Sequence, residues 1–251
     1  MRVHAISDLH VDFRPNRDFV AGLSQQDYVN DLLIVAGDLT HDESLLRATL
    51  EQLQHRFRAL WFVPGNHDLW VDPTSDETSL DKWQRLRAQL HAAGVFLEPA
   101  QVGQVRITPL LGWYDFSFGE PETQLRRAWR DFVRCRWPTG WHPRDIAAAF
   151  QRDNPEPVAV DASVTHITVS HFLPRVDLLP RPAIERFGFL LPVLGGEAVE
   201  SELRRHSPQL HVYGHSHVPV DRVRDGVRYI NNAKGYPSEY RHADRRLKRI
   251  A

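Results

Sequence analysis

The chain has 251 residues, 42% of them hydrophobic and seven of them tryptophan, enough to bury the core of one large domain. A formal charge of −1 supplies no general field for nucleic acid or an anionic membrane, and the single cysteine, Cys135, excludes an internal disulfide. No stretch has the length of a membrane span or the apolar core of a signal peptide, so the expected compartment is the cytoplasm.

Along the chain, Arg2 to Ser7 is a short run rich in apolar and β-branched residues that predicts a buried strand, as do Asp31 to Ala36 and Ala59 to Val63. Between the last two, Leu46, Leu50, Leu53 and Phe57 recur at helical spacing and predict a helix over Asp42 to Phe57, with Thr40 and Glu43 forming a capping box at its start. Leu80, Trp83, Leu86 and Leu90 predict a second helix over Ser79 to Ala93. Strand, helix, strand in this order implies parallel strands joined by right-handed crossovers.

From Gly112 to Pro157 the pattern breaks, and we read an inserted cap over about residues 113–160 of a single domain, 1–251. Its arginine-rich run LRRAWRDFVRCRW predicts a helix. Arg126, Arg127, Arg130, Arg134 and Arg136 with Trp129 and Trp137 suit a phosphate and a base, or an amphipathic helix whose tryptophans pack on the domain; the second is simpler. Strands resume at Thr165 to Ser170 and Gln209 to Tyr213, with a helix from Glu197 to His206 between them. Asp225-Gly226 then predicts a hairpin joining Val218 to Val223 with Val227 to Ile230. The terminal RRLKRI reads as a solvated tail or helix terminus.

Five predicted strands end on metal-binding side chains, in SDLH, GDLT, PGNHD, SHF and GHSH. In sheets of this kind ligands gather at the carboxyl ends of strands, so segments far apart in sequence meet there. Asp8, His10, Asp38, Asn66, His67, His171, His215 and His217 combine carboxylate, imidazole and amide without a thiolate. That set suits divalent Mn, Fe or Zn better than calcium or a structural zinc. Two ions roughly 3.5–4 Å apart would use it fully. In an extended GHSH, residues i and i+2 share a side, so His215 and His217 both reach the cluster while Gly214 lets the backbone approach. His4, His41, His166 and His211 read as structural histidines, Thr40 as a helix cap only, and Ser7 and Ser170 as partners of neighbouring groups.

In this order the blocks D-x-H, G-D, G-N-H-D, a lone H and G-H-x-H resemble the signature of the calcineurin-like metallophosphoesterase superfamily, over residues 8 to 217. The resemblance implies an α/β fold, a four-layer αββα sandwich of two mixed β-sheets flanked by helices. It implies a phosphoric ester hydrolase attacking a phosphomonoester or phosphodiester with hydroxide held by two divalent ions. Carried over by motif, Asp8, His10 and His217 hold one ion, Asn66, His171 and His215 the other, and Asp38 bridges them. His67 is then no ligand but a catalytic group that supplies a proton or positive charge to the departing oxygen, with Asp38 and Asn66 also in the catalytic set, while Asp68 caps a turn. GDLT continues with His41, Asp42 and Glu43, without the aspartate-arginine pair of the superfamily's protein Ser/Thr phosphatases. The chain is more similar to the small bacterial-type phosphoesterases, which implies a small phosphorylated substrate; the alternatives are a nucleotide phosphodiesterase and a metal-holding scaffold without catalysis. Trp113, Tyr114 and Asp115, just past the strand-like ITPLLG, are expected to line the cleft, and Asn231, Asn232 and Lys234 either approach it or form a simple turn. Neither nucleic acid nor membrane is an expected partner.

Overall fold

Placements are described for residues 1–242 and 246–251 of the chain in this computed structural model. Val3–Ile6 (β1), Leu32–Ala36 (β2) and Ala59–Val63 (β3) are apolar at almost every position because helices cover one side of them and a second sheet the other. They run parallel with Ile6 opposite Val35 and Ala36 opposite Val63, so their carboxyl ends finish together. The second sheet pairs Ala100–Val102 (β4) antiparallel with Val105–Pro109 (β5), then adds Thr165–Val169 (β6) and Leu210–Tyr213 (β7) in parallel. It closes with the hairpin Val220–Arg224 (β8) and Val227–Asn231 (β9), of which β9 lies parallel to β7. Lys248–Arg249 (β10) completes the first sheet, antiparallel to β1.

Alternation along the strands sorts the apolar side chains into three cores. Val3, Ala5, Ile34 and Val63 meet Ile107, Ile167, Val212 and Ile230 between the sheets. Leu33, Val35 and Phe62 point the other way, onto Leu46 and Leu50 of helix Glu43–Gln54 and Trp83 and Leu86 of helix Ser79–Ala92. On the far side Tyr213 and Tyr229 pack with Leu178 and Leu203. This is the expected αββα sandwich. Each fully buried Leu, Val or Phe contributes about 1.5–3 kcal/mol, so the strand ends are firmly held. Among the described residues no helix is long and apolar enough to cross a membrane.

The structure departs from the expectations in four places. The helix cap is Asp42, whose carboxylate accepts the Leu45 N–H, because Asp42 directly precedes the first helical turn; Thr40 Oγ1 instead donates to Asp12 and accepts the Asp42 N–H. The arginine-rich run forms two short helices, Thr123–Ala128 and Asp131–Arg134, because the backbone turns extended at Trp129, and Asp131 is buried at the start of the second. Its segment shares a core with the first sheet through Leu125, Ile146 and Phe150. The basic terminus is a strand: Lys248 and Arg249 pair with β1, Ile250 is buried, and Arg245 lies outside the described residues. Helices Arg14–Ala21, Pro143–Arg152 and Arg181–Phe187 and the β4–β5 hairpin were not anticipated, although Pro143–Arg152 buries Ile146, Ala147 and Phe150 along one face.

Candidate metal centre

Asp8, Asp38, Asn66, His171 and His215 each lie two or three residues beyond the end of β1, β2, β3, β6 or β7. Their loops are sharply bent. Asp8, His10, Asp38, His215 and His217 have φ of 52°, 39°, 58°, 63° and 52°, left-handed values that non-glycine residues rarely adopt and that cost roughly 1–3 kcal/mol each. The extended geometry expected for GHSH is therefore corrected: both histidines reach the cluster, but through left-handed backbone. A Cβ on Gly214 would lie 2.7 Å from Asp8 Oδ2 and 2.9 Å from the Ala36 carbonyl oxygen. Gly214→Ala is expected to cost about 1–3 kcal/mol, measured as a fall in Tm at roughly 2–4 °C per kcal/mol.

Two half-sites flank Asp38. In one, Asp8, His10 and His217 present ligand atoms within 4.8 Å of one another, and in the other Asp38, His171 and His215 do. Asp38 Oδ1 stands 3.5 Å from His171 Nε2 and its Oδ2 4.0 Å from His10 Nε2, so one carboxylate faces both. Asn66 Oδ1 lies 3.2 Å from His171 Nε2, on the second side.

The tautomers are set from behind. His171 Nδ1 donates to the Ala36 carbonyl at 2.8 Å and His215 Nε2 to the Val193 carbonyl at 2.9 Å, since a carbonyl only accepts. In the neutral rings the other nitrogens, His171 Nε2 and His215 Nδ1, then aim lone pairs at each other across 3.1 Å. His217 Nδ1 likewise donates to Glu239 at 2.9 Å, leaving its Nε2 3.2 Å from His10 Nε2 and 3.2 Å from Asp8 Oδ1. Converging lone pairs repel unless a proton or cation sits among them. The residues therefore fit divalent cations, and the backing hydrogen bonds are those that orient metal-bound imidazoles.

Without cations, protons take that place. Burial opposes charge on His171 and His217, but the carboxylates of Asp38 and Asp8, with Glu239 beside His217, outweigh it and raise them to about 9 and about 10. Burial drives His10 and His215 down to about 3. It also works against ionised Asp8, yet His217 holds that carboxyl down at about 2. Asp68, expected to cap a turn, accepts the backbone N–H groups of Asp38, Leu39, Thr40 and Gly65 and so ties two site loops together. Burial first and the Asp38 charge second push its carboxyl up to about 7, against those four donors.

His67 is more exposed than His10, His171 and His217. Its Nε2 is 4.0 Å from Asp38 Oδ2, its backbone N–H donates to Asp38 Oδ1 at 2.9 Å, and its ring stacks on Trp70 at 3.8 Å. A cavity of about 480 Å³ is lined by Asp38, Asn66, His67, His215 and His217. Leu179, Ile184, Leu190, Leu191 and Leu194 give it a large apolar lining, to which Arg186 adds a cation.

Trp113, Tyr114 and Asp115 do not line this cavity and are corrected. Trp113 and Tyr114 are buried aromatic rings packed on Phe172, and Asp115 accepts from Ser117 and the Ala198 N–H; all three border a different hollow of about 760 Å³. None of the five cap arginines borders the ion-facing cavity, whereas Trp129 does. Asn231 holds the GHSH turn through the Gly214 carbonyl at 2.7 Å, and Asn232 donates to the Ala5 carbonyl. Ser7 Oγ donates to Asp8 at 2.5 Å, as a partner of that ligand. His4 with Asp31, and His166 and His211 with Thr108 and Thr168, are structural as expected. No sequence signal marked Tyr236, which stacks on His10 at 4.4 Å with its hydroxyl 3.5 Å from His67 Nε2.

A family model described as calcineurin-like phosphoesterase matches residues 1–219. The chain belongs to the calcineurin-like phosphoesterase family. This phosphoesterase is 28% identical over 269 residues to the acyl-carrier-protein phosphodiesterase PptH of Mycobacterium tuberculosis, covering 94% of the chain and 78% of PptH. The crystal structure of phosphopantetheinyl hydrolase (PptH) from the same organism matches its fold with a TM-score of 0.79 at 25% identity, over 99% of this chain and 95% of that one. The phosphoesterase is thus a metal-dependent phosphoric ester hydrolase, and its two mixed sheets are those of the family fold.

Proposed function

We propose that this phosphoesterase, holding two divalent ions, hydrolyses the phosphodiester that joins a phosphopantetheinyl arm to a carrier protein. The observation that carries the two-ion part is the Asp38 carboxylate standing between two sets of convergent ring nitrogens. Asp8, His10 and His217 would hold one ion and Asn66, His171 and His215 the other, with Asp38 serving both. Ions bound there would supply acidification of a water and neutralisation of charge on the phosphate oxygens. His67 delivers a proton to the departing oxygen, with Trp70 stacked behind its ring.

The likeness to PptH supports the ester, and the apolar lining of the cavity suits an uncharged pantetheine arm. A protein-borne ester replaces the small phosphorylated substrate expected from sequence. Incubation with holo-acyl carrier protein and Mn²⁺, followed by mass spectrometry of the carrier, tests it. Loss of the phosphopantetheinyl group is expected, with kcat/KM exceeding that on nucleotide diesters by roughly 10- to 200-fold, the discrimination an apolar pocket supplies. An unaltered carrier beside rapid cleavage of a nucleotide diester would return the nucleotide phosphodiesterase. Two bound ions without turnover of any ester would leave the scaffold.

A further inference from the structure

We infer that Asp131, contributed by the inserted segment and by none of the five motifs, is a positioning residue that fixes the ion-facing oxygen of Asn66 and the platform beneath His67. The inference rests on the two-ion reading above. Asp131 is 2% exposed, and its carboxylate accepts three side-chain N–H groups. Asn66 Nδ2 at 2.9 Å and Trp70 Nε1 at 2.6 Å donate to Oδ1, and Trp129 Nε1 at 2.8 Å donates to Oδ2.

An asparagine meets a cation through its oxygen, and the two orientations of the amide hardly differ in shape. Donation of Nδ2 to a carboxylate settles the orientation, leaving Oδ1 on the side of His171. Reversed, the amide would set its NH₂ toward the cation and its carbonyl against the Asp131 carboxylate, two repulsions at once. The second bond acts on His67, because the ring it anchors is the one His67 stacks on. The third holds Trp129 edge-on to His215 at 5.9 Å, beside the same half-site. One buried acceptor thus governs a ligand's polarity, the seat of the proposed acid and part of the cavity wall.

A double-mutant cycle on the full chain, read by Mn²⁺ titration, separates this role from simple packing. Asp131→Asn keeps the side-chain shape but turns one acceptor into a donor. Affinity at one of the two Mn²⁺ sites is expected to fall roughly 10- to 100-fold, as for other groups that orient metal ligands, with the other site unchanged. In an Asn66→Asp background the ligand oxygens are equivalent and no amide needs orienting, so adding Asp131→Asn should cost no further affinity. Equal losses in both backgrounds, or two ions bound at wild-type affinity by Asp131→Asn, would overturn the role. Asp131→Glu, which retains the charge and displaces the acceptors by one methylene, carries the same pair of outcomes if Asp131→Asn does not fold. A wild-type chain that bound no Mn²⁺ would overturn the two-ion reading itself, a result distinct from either.

Discussion

Asp38→Asn is expected to deplete the metal centre and abolish turnover in parallel. The side chain is 2% exposed, and its two oxygens face His171 on one side and His10 on the other while the His67 N–H donates to it. The amide preserves the shape and removes the one charge common to both half-sites. Breaking a buried charge pairing of this kind costs about 3–5 kcal/mol, which corresponds to a loss of roughly 10²- to 10³-fold or more in ion affinity. Mn²⁺ stoichiometry and ester hydrolysis, followed on the same preparation, should fall together. A variant that kept two ions at wild-type affinity would refute the bridging role.

His67→Ala is expected to do the opposite to one of those quantities: both ions stay and turnover falls by roughly 10²- to 10⁴-fold, the usual worth of a positioned proton donor. His67 Nε2 stands 4.0 Å from Asp38 Oδ2, and the ring is the more open member of the cluster, stacked on Trp70 with the Tyr236 hydroxyl near its Nε2. The loss should depend on the leaving group. An alkyl oxygen needs a proton as it departs, whereas p-nitrophenolate does not, so bis-p-nitrophenyl phosphate should lose less than an alkyl diester. His10, Asp38 and His67 also lie within ligand spacing of one another. Loss of an ion in His67→Ala would accordingly move His67 from acid to ligand.

The motif residues were legible because each follows directly on a strand whose apolar run announces it, and parallel pairing in register brings those ends to one place. What escaped reading arrives by packing from elsewhere. Asp131 is one such residue, since nothing in LRRAWRDFVRCRW shows that its carboxylate turns inward to three donors. Trp113 and Tyr114 were placed in the cleft because an aromatic residue after a strand reads alike whether it faces a cavity or the core. Tyr236 sits in a loop without periodicity, and the apolar wall from Leu179 to Leu194 shows only as an ordinary hydrophobic stretch.

Sequence by itself determined the family, the alternation of strand and helix and the donor types of the eight candidate site residues, because donor types and their places after strands are local properties that survive in one dimension. Only the tertiary structure decided which nitrogen of each histidine faces inward, which way the Asn66 amide points and what closes the cavity. Those depend on carbonyls, carboxylates and rings contributed from 22 to 135 positions away along the chain, at Val193, Glu239, Asp131 and Ala36. A hydrogen bond across such a separation has no local spacing rule to betray it; it exists only once the sheets have packed.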